Sequence, residues 1–325
     1  MITATLYKKQ NCSLCDQAEK DLASLAKKIP HTLAVVDIDQ DPDLKESFAD
    51  RVPVLQVGPY TLEAPFDLQK IEITLAAGRD RLKQSSGDES LKARRQRGAQ
   101  FSGADRFTHW FSRHYLMVLN LFIFLYVGLP FLAPFFMQAG MQSLAKPIYT
   151  VYGAVCHQMA FRSWFLYGEQ PVYPRVAAEV EGFETFGNVS GLDEEDLLAA
   201  RQFIGNEQVG YKIAYCQRDV AIYGAMLLFG LIYGVSKRKI PPLPWYWWGL
   251  IGIAPIALDG FSQLLSQIPG FSLWAYREST PLLRTLTGAL FGFSTAWFGF
   301  PLLEESMTET RQMLAAKRAR LGGGD

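Results

Sequence analysis

Net charge is absent from this chain. Its 325 residues carry 32 Lys and Arg against 32 Asp and Glu, which removes the basic excess that nucleic-acid binding demands. No internal repeat is present, and the length allows two domains. Met1 to Gln10 lacks the apolar stretch of a secretory signal and carries Lys8 and Lys9, so the N-terminal part is expected in the cytosol. Cysteine is scarce. The four present, Cys12, Cys15, Cys156 and Cys216, fall into two pairs.

Charge is also missing from Tyr115 to Ala145, a run that a soluble enzyme does not tolerate and a bilayer requires. Four segments have the roughly 20 apolar residues of a span: Tyr115–Phe136, Val220–Val235, Leu243–Leu265 and Pro281–Leu303. Pro130 and Pro134 near the end of the first can bend it without disqualifying it. Lys92, Arg94, Arg95, Arg97 and Arg113 precede span one, Lys237, Arg238 and Lys239 join spans two and three, and Lys317, Arg318 and Arg320 follow span four. The loop between spans one and two is acidic instead, with Glu179, Glu181, Glu184, Asp193, Glu194, Glu195 and Asp196. The positive-inside rule then predicts a plasma-membrane protein in contact with lipid, both termini cytoplasmic, and Cys156 and Cys216 outside. Trp245, Trp247 and Trp248 fit an interfacial aromatic belt. Pro147–Met159 is too short to span and reads as an amphipathic or re-entrant helix. A short helix is expected over Asp193–Phe203.

The N-terminal third alternates strand and helix patterns in the order βαβαββα. Thr3–Tyr7 is a strand, and Cys12 opens a helix running to about Lys28. His31–Asp39 is a second strand, and Asp41-Pro42 starts a second helix. A third strand begins at Val52-Pro53, Tyr60–Glu63 pairs back, and a last helix covers Asp67–Leu82. A thiol at a helix start feels unpaired N–H groups and the positive end of the dipole, which favour thiolate. Cys12 is the candidate attacking thiol and Cys15, one turn deeper, the resolving one. The other use of C-x-x-C, half a zinc site, finds no second Cys/His pair in this domain. Cys12-Ser13-Leu14-Cys15 after a first strand, with Val52-Pro53 before the third, resembles a glutaredoxin-like member of the thioredoxin superfamily over residues 1–83. The resemblance implies a cis Pro53 that exposes the Val52 backbone to a substrate. Ser13-Leu14 departs from the Pro-Tyr pair common in glutathione-dependent glutaredoxins.

Residues 84–113 then form a basic linker, 114–305 an all-α membrane domain of four transmembrane helices with an extracytoplasmic acidic loop (168–215), and 306–325 a basic cytoplasmic tail. Cys156-His157-Gln158, Arg162-Ser163 and Cys216-Gln217-Arg218-Asp219 resemble the CHQ, RS and C-x-R-D motifs of a widespread bacterial membrane family of unknown function. Asp259 lies about 14 residues past Trp245, or about 21 Å along a helix in a core about 30 Å thick. A carboxylate at that depth needs a partner, Arg218 or Arg284; Arg162 and Arg277 are further candidates for ion pairs. Gly230-x-x-x-Gly234 and Gly288-x-x-x-Gly292 suggest close helix contacts. For Cys156 and Cys216 three readings stay open. They form a disulfide, a redox pair, or, with His157, Asp219 and Asp259, a zinc or copper site.

The expected function is a membrane-tethered thiol–disulfide oxidoreductase working through Cys12 and Cys15 on a protein or low-molecular-weight thiol. The alternative is a metal- or ion-handling membrane protein whose C-x-x-C domain accepts metal or senses redox state. No cysteine lies inside a span, so a thiol relay across the membrane lacks its carrier.

Overall fold

The computed structural model describes residues 2–40, 44–45, 48–84, 101–268, 270 and 275–322. The chain divides into two compact units, Met1–His114 with Glu305–Asp325, and Tyr115–Glu304.

In the first unit β1 (Ile2–Lys8), β2 (His31–Asp37), β3 (Val54–Val57) and β4 (Tyr60–Glu63) form a sheet in the order β2-β1-β3-β4. β1 runs parallel to β2 and antiparallel to β3, with Tyr7 opposite Val54. Side chains alternate along β1, as the pleat requires. Ile2, Ala4 and Leu6 enter a core with Leu22 and Leu25 of α1 (Ser13–Leu25) and with Ile71 and Leu75 of α2 (Leu68–Gln84). Tyr7 points to the other face, where Val36, Ile38, Leu44 and Val54 pack with Ala316. The tail expected over 306–325 is thus helical to Gly322 and partly buried, and its Lys317 pairs with Asp105 at 2.8 Å. The helix start expected at Asp41-Pro42 lies outside the described residues, as does most of the basic linker. What is described of that linker is helical from Gly103.

The second unit holds the apolar helices. They are α3 (Gly103–Gln138), which begins in the first unit, then α7 (Gln217–Val235), α8 (Trp245–Ser266) and α9 (Pro281–Gly322), which ends in the first unit. All four are long and apolar enough to cross a membrane, and only 17% to 39% of each most apolar stretch is buried within the protein. The remaining Leu, Phe and Trp surface is what lipid covers. Within α8 the residues Trp248–Ile253 form a wider π-type turn before Ala254–Ser266 resumes the α form. Pro255 explains the site. It lacks an N–H, and its ring crowds the carbonyl four residues back.

Between α3 and α7 the chain builds α4 (Gln142–Gly153), two short helices α5 (Phe186–Ser190) and α6 (Leu197–Gln202), and a three-stranded antiparallel sheet. That sheet comprises β5 (Ser163–Leu166), β6 (Gly205–Asn206) and β7 (Gly210–Cys216), with β7 central. The segment expected as an acidic loop is therefore a folded cap with its own core of Phe161, Phe165, Tyr173 and Phe186. α6 begins at an Asp196 cap, whose carboxylate accepts from Leu198 and Ala199, inside the stretch expected to be helical.

Both glycine pairs mark close approaches. A Cβ at Gly230 would stand 2.0 Å from Asn120 Oδ1, and one at Gly292 would stand 2.0 Å from the Ile222 carbonyl oxygen. A Gly292→Ala protein is expected to lose about 1–3 kcal/mol through forced separation of α7 and α9. That appears as a lower unfolding midpoint in detergent. Gly299→Ala, where nothing lies within 4 Å, leaves the midpoint in place. Equal midpoints for both variants would contradict the close approach.

Candidate functional site

Cys12 caps α1 in extended conformation, and its Sγ accepts the Cys15 N–H at 3.2 Å. The two cysteines form a disulfide with Cα atoms 5.2 Å apart. Cys15 is fully buried and Cys12 is 9% exposed, beside a Leu14 that is 62% exposed. Of the two sulfurs, Cys12 offers the approach. The Tyr7–Val54 register puts Pro53 at the end of the sheet from which the Cys12 segment departs. The Val52–Pro53 peptide is cis. The Val52 N–H, whose backbone was expected to be exposed to a substrate, donates within the domain to the Phe48 carbonyl at 3.1 Å.

The second constellation gathers where α7 and α9 start and α8 ends. Asp259, 4% exposed, takes hydrogen bonds from Arg218, from Arg277 Nη2 at 3.0 Å and from Ser279 Oγ at 2.7 Å. The expected partner Arg218 is there. The other expected partner, Arg284, binds Glu278 instead, because it lies six residues further along the same segment and one turn into α9. Glu278 was not foreseen as a site residue, yet it organises the cluster. Arg162 donates to both its oxygens, at 2.9 and 3.1 Å. Arg175 reaches it at 3.4 Å and Gln263 at 3.1 Å. Arg175 also pairs with Glu195 and donates to the Tyr276 hydroxyl at 2.9 Å.

Cys156 and Cys216 are buried free thiols. Their sulfurs and one Asp219 carboxylate oxygen lie within 4.8 Å of one another. Cys216 caps α7 and donates its S–H to Asp219 Oδ2 at 3.0 Å. His157 lines the same cavity of about 320 Å³ as the thiols, Arg162, Arg218, Asp219 and Arg284, but it and Asp259 stand outside the three-ligand group. Burial, with Arg162 nearby, pushes the His157 imidazole down to about 4. The hydrogen bond with Cys156 and burial hold the Cys216 thiol well above its ordinary value. Lys212 was also not foreseen. It is 1% exposed, donates to the Gln158 and Arg201 carbonyls at 2.7 and 2.6 Å, and is pushed down to about 7 by burial against the opposing pull of Cys156. The sequence carries no signal of its burial: alternation with Ile213 and Tyr215 would place Lys212 on the polar face of a strand, whereas both faces of β7 are buried.

A thioredoxin-fold domain followed by a helical membrane domain is the class these features define. Residues 3–84 match the family described as a glutaredoxin-like domain (DUF836), and residues 201–298 match the family described as a predicted membrane protein (DUF2085). The chain thus carries a glutaredoxin-like domain fused to a membrane domain. An uncharacterized protein of Methanocaldococcus jannaschii is 28% identical over 202 residues, spanning 59% of this chain and 94% of that relative. No solved structure matches the chain.

Glu278 links the cluster to pH. Burial pushes its carboxyl up, but the attraction of Arg162, Arg284 and Arg175 outweighs burial and holds it below its ordinary value. A carboxyl depressed in the folded state contributes stability above its unfolded value of about 4.3. That contribution is lost as pH falls through the folded value. The unfolding midpoint in detergent is therefore expected to be steady from about pH 8 to 5 and to drop below that. Glu278→Gln removes the carboxylate that Arg162 and Arg284 pair with and costs about 3–5 kcal/mol at neutral pH, with a shallower fall in acid. A variant as stable as the parent at pH 7 would contradict this role.

Proposed function

We propose that the chain is a membrane-tethered thiol–disulfide oxidoreductase whose chemistry runs through Cys12 and Cys15 on the cytosolic side. The observation that carries this reading is Cys12 at the start of α1, its sulfur taking the Cys15 N–H, with the Val52–Pro53 segment at the same end of the sheet. An anionic sulfur is favoured there by the N–H and by the helix dipole.

The exchange balances as follows. The Cys12 thiolate attacks one sulfur of a partner disulfide, and the partner's other sulfur leaves as a thiolate. Cys15, as thiolate, then attacks Cys12 Sγ and releases the second partner thiol. The domain is left with the Cys12–Cys15 disulfide, the form the structure contains. Two equivalents of a low-molecular-weight thiol return it to the dithiol and leave as their own disulfide. The resolving role of Cys15 follows from depth: a sulfur with no exposure reacts with what Cys12 has already captured. Membrane attachment confines the reaction to partners at the inner leaflet, in keeping with the basic residues on either side of the spans.

Two measurements test this. Cys12→Ser is expected to abolish reduction of a disulfide reporter, whereas Cys15→Ser accumulates a mixed disulfide through Cys12. Preferential alkylation of Cys15 by limiting reagent would reverse the roles. For the orientation, a tag beside Ser190 is expected to be cut by protease added to intact cells, and a tag after Asp325 to be protected. Cleavage at the C-terminus would require an odd number of crossings.

A further inference from the structure

We propose that Cys156, Cys216 and Asp219 form a binding centre for a zinc-class divalent metal ion, independent of the C-x-x-C chemistry. The three ligand atoms already lie within 4.8 Å of one another. A tetrahedral zinc about 2.3 Å from sulfur and about 2.0 Å from oxygen holds its ligands about 3.3–3.8 Å apart. Closure on an ion therefore needs any pair of ligand atoms to approach by about 1.5 Å at most.

The ligands are held by their surroundings as well as by each other. Cys216 ends β7 opposite Ser163, and Gln217 Nε2 donates to the Ser163 carbonyl at 3.1 Å. Gln158, two residues past Cys156, donates to the Tyr149 and Ala214 carbonyls at 3.0 and 2.8 Å. Both thiol-bearing segments are thus tied to the same strand. Asp219 stands in the first turn of α7 and, among the described residues, forms no ion pair; its carboxylate accepts the Cys216 S–H. Asp259 is not available as a ligand, since Arg218, Arg277 and Ser279 occupy it.

Charge fits the same ion. Two thiolates, one carboxylate and a dication sum to a single negative charge. The cavity beside them is lined by Arg162, Arg218 and Arg284. The three carboxylates of the neighbouring cluster, Asp259, Glu278 and the more exposed Glu195, face five guanidiniums. An excess of positive charge offsets an anionic centre and would oppose a bare cation held by neutral groups. Two sulfurs with one carboxylate oxygen suit borderline zinc better than copper(I), which prefers sulfur throughout. Three protein ligands and a cavity of about 320 Å³ leave a fourth position open to water or a solute, the arrangement of a reactive rather than a purely structural zinc site. Loading releases two protons, one from each thiol.

The test uses the full-length protein with Cys12→Ser and Cys15→Ser, purified in detergent without oxidant, so that the N-terminal pair contributes nothing. One zinc per chain is expected by elemental analysis, and cobalt(II) in its place is expected to give a thiolate-to-metal charge-transfer band. Asp219→Asn, which keeps the shape, weakens zinc about 10–100-fold. Cys156→Ser and Cys216→Ser remove the band. Because the cysteine variants replace buried groups and can fail to fold, the cobalt spectrum of the intact outer pair decides on its own. Absence of the band, zinc retained by Cys156→Ser, or a Cys156–Cys216 disulfide in freshly isolated protein would each overturn the proposal.

Discussion

A carboxylate withdrawn from water has to be surrounded by cations or donors, and the membrane unit meets this requirement twice within one neighbourhood. Asp259 comes from α8, and Glu278 lies three residues before α9. Their arginines arrive from elsewhere: Arg162 just before β5, Arg175 from the cap, Arg218 from the first turn of α7, and Arg277 and Arg284 from either side of the α9 start. None of these groups is stable in such a place alone. Where three helix ends and the cap meet is therefore decided by charge, while the lipid-facing surfaces of the helices specify little beyond burial in apolar solvent.

The two cysteine sites share a local plan. Cys12 and Cys216 each cap a helix and each use the sulfur to take an N–H three residues on, from Cys15 at 3.2 Å and Asp219 at 3.5 Å. The third residue differs. In the first unit it is a thiol, and the pair closes as a disulfide. In the second it is a carboxylate, which accepts the proton of the sulfur and has no bond to make with it. One backbone arrangement thus leads to a closed disulfide in one place and to a thiol–carboxylate hydrogen bond in the other.

Much of this was legible because its signals are local. Periodicity and charge marked the four apolar helices, and strand alternation with C-x-x-C marked the N-terminal fold. The β5–β7 pairing was not, because Ser163–Leu166 and Gly210–Cys216 stand far apart in the chain and register is set by packing that short runs do not reveal. Glu278 was passed over because an acid beside a span ordinarily sits in interfacial water; three arginines from distant segments changed its environment. Of the two partners expected for Asp259, Arg218 is there; that Arg277 joins it while Arg284 does not turned on how the chain between α8 and α9 folds back, for which residue spacing offers no rule. Burial of Ala316 against Tyr7 is likewise a contact between residues from opposite ends of the chain.

The widened turn at Trp248–Ile253 has a consequence for rotation. A residue advances an α-helix by about 100°, so a turn that takes up almost one residue more resets the azimuth of everything beyond it. At the start of the turn, Trp248 stacks on Phe298 of α9 at 5.0 Å and donates to Thr295. After it, Asp259 and Gln263 address the charged groups. α8 therefore carries two phases, one matched to an aromatic seam and one to a polar pole, and the extra residue taken up by the widened turn is what lets a single helix meet both.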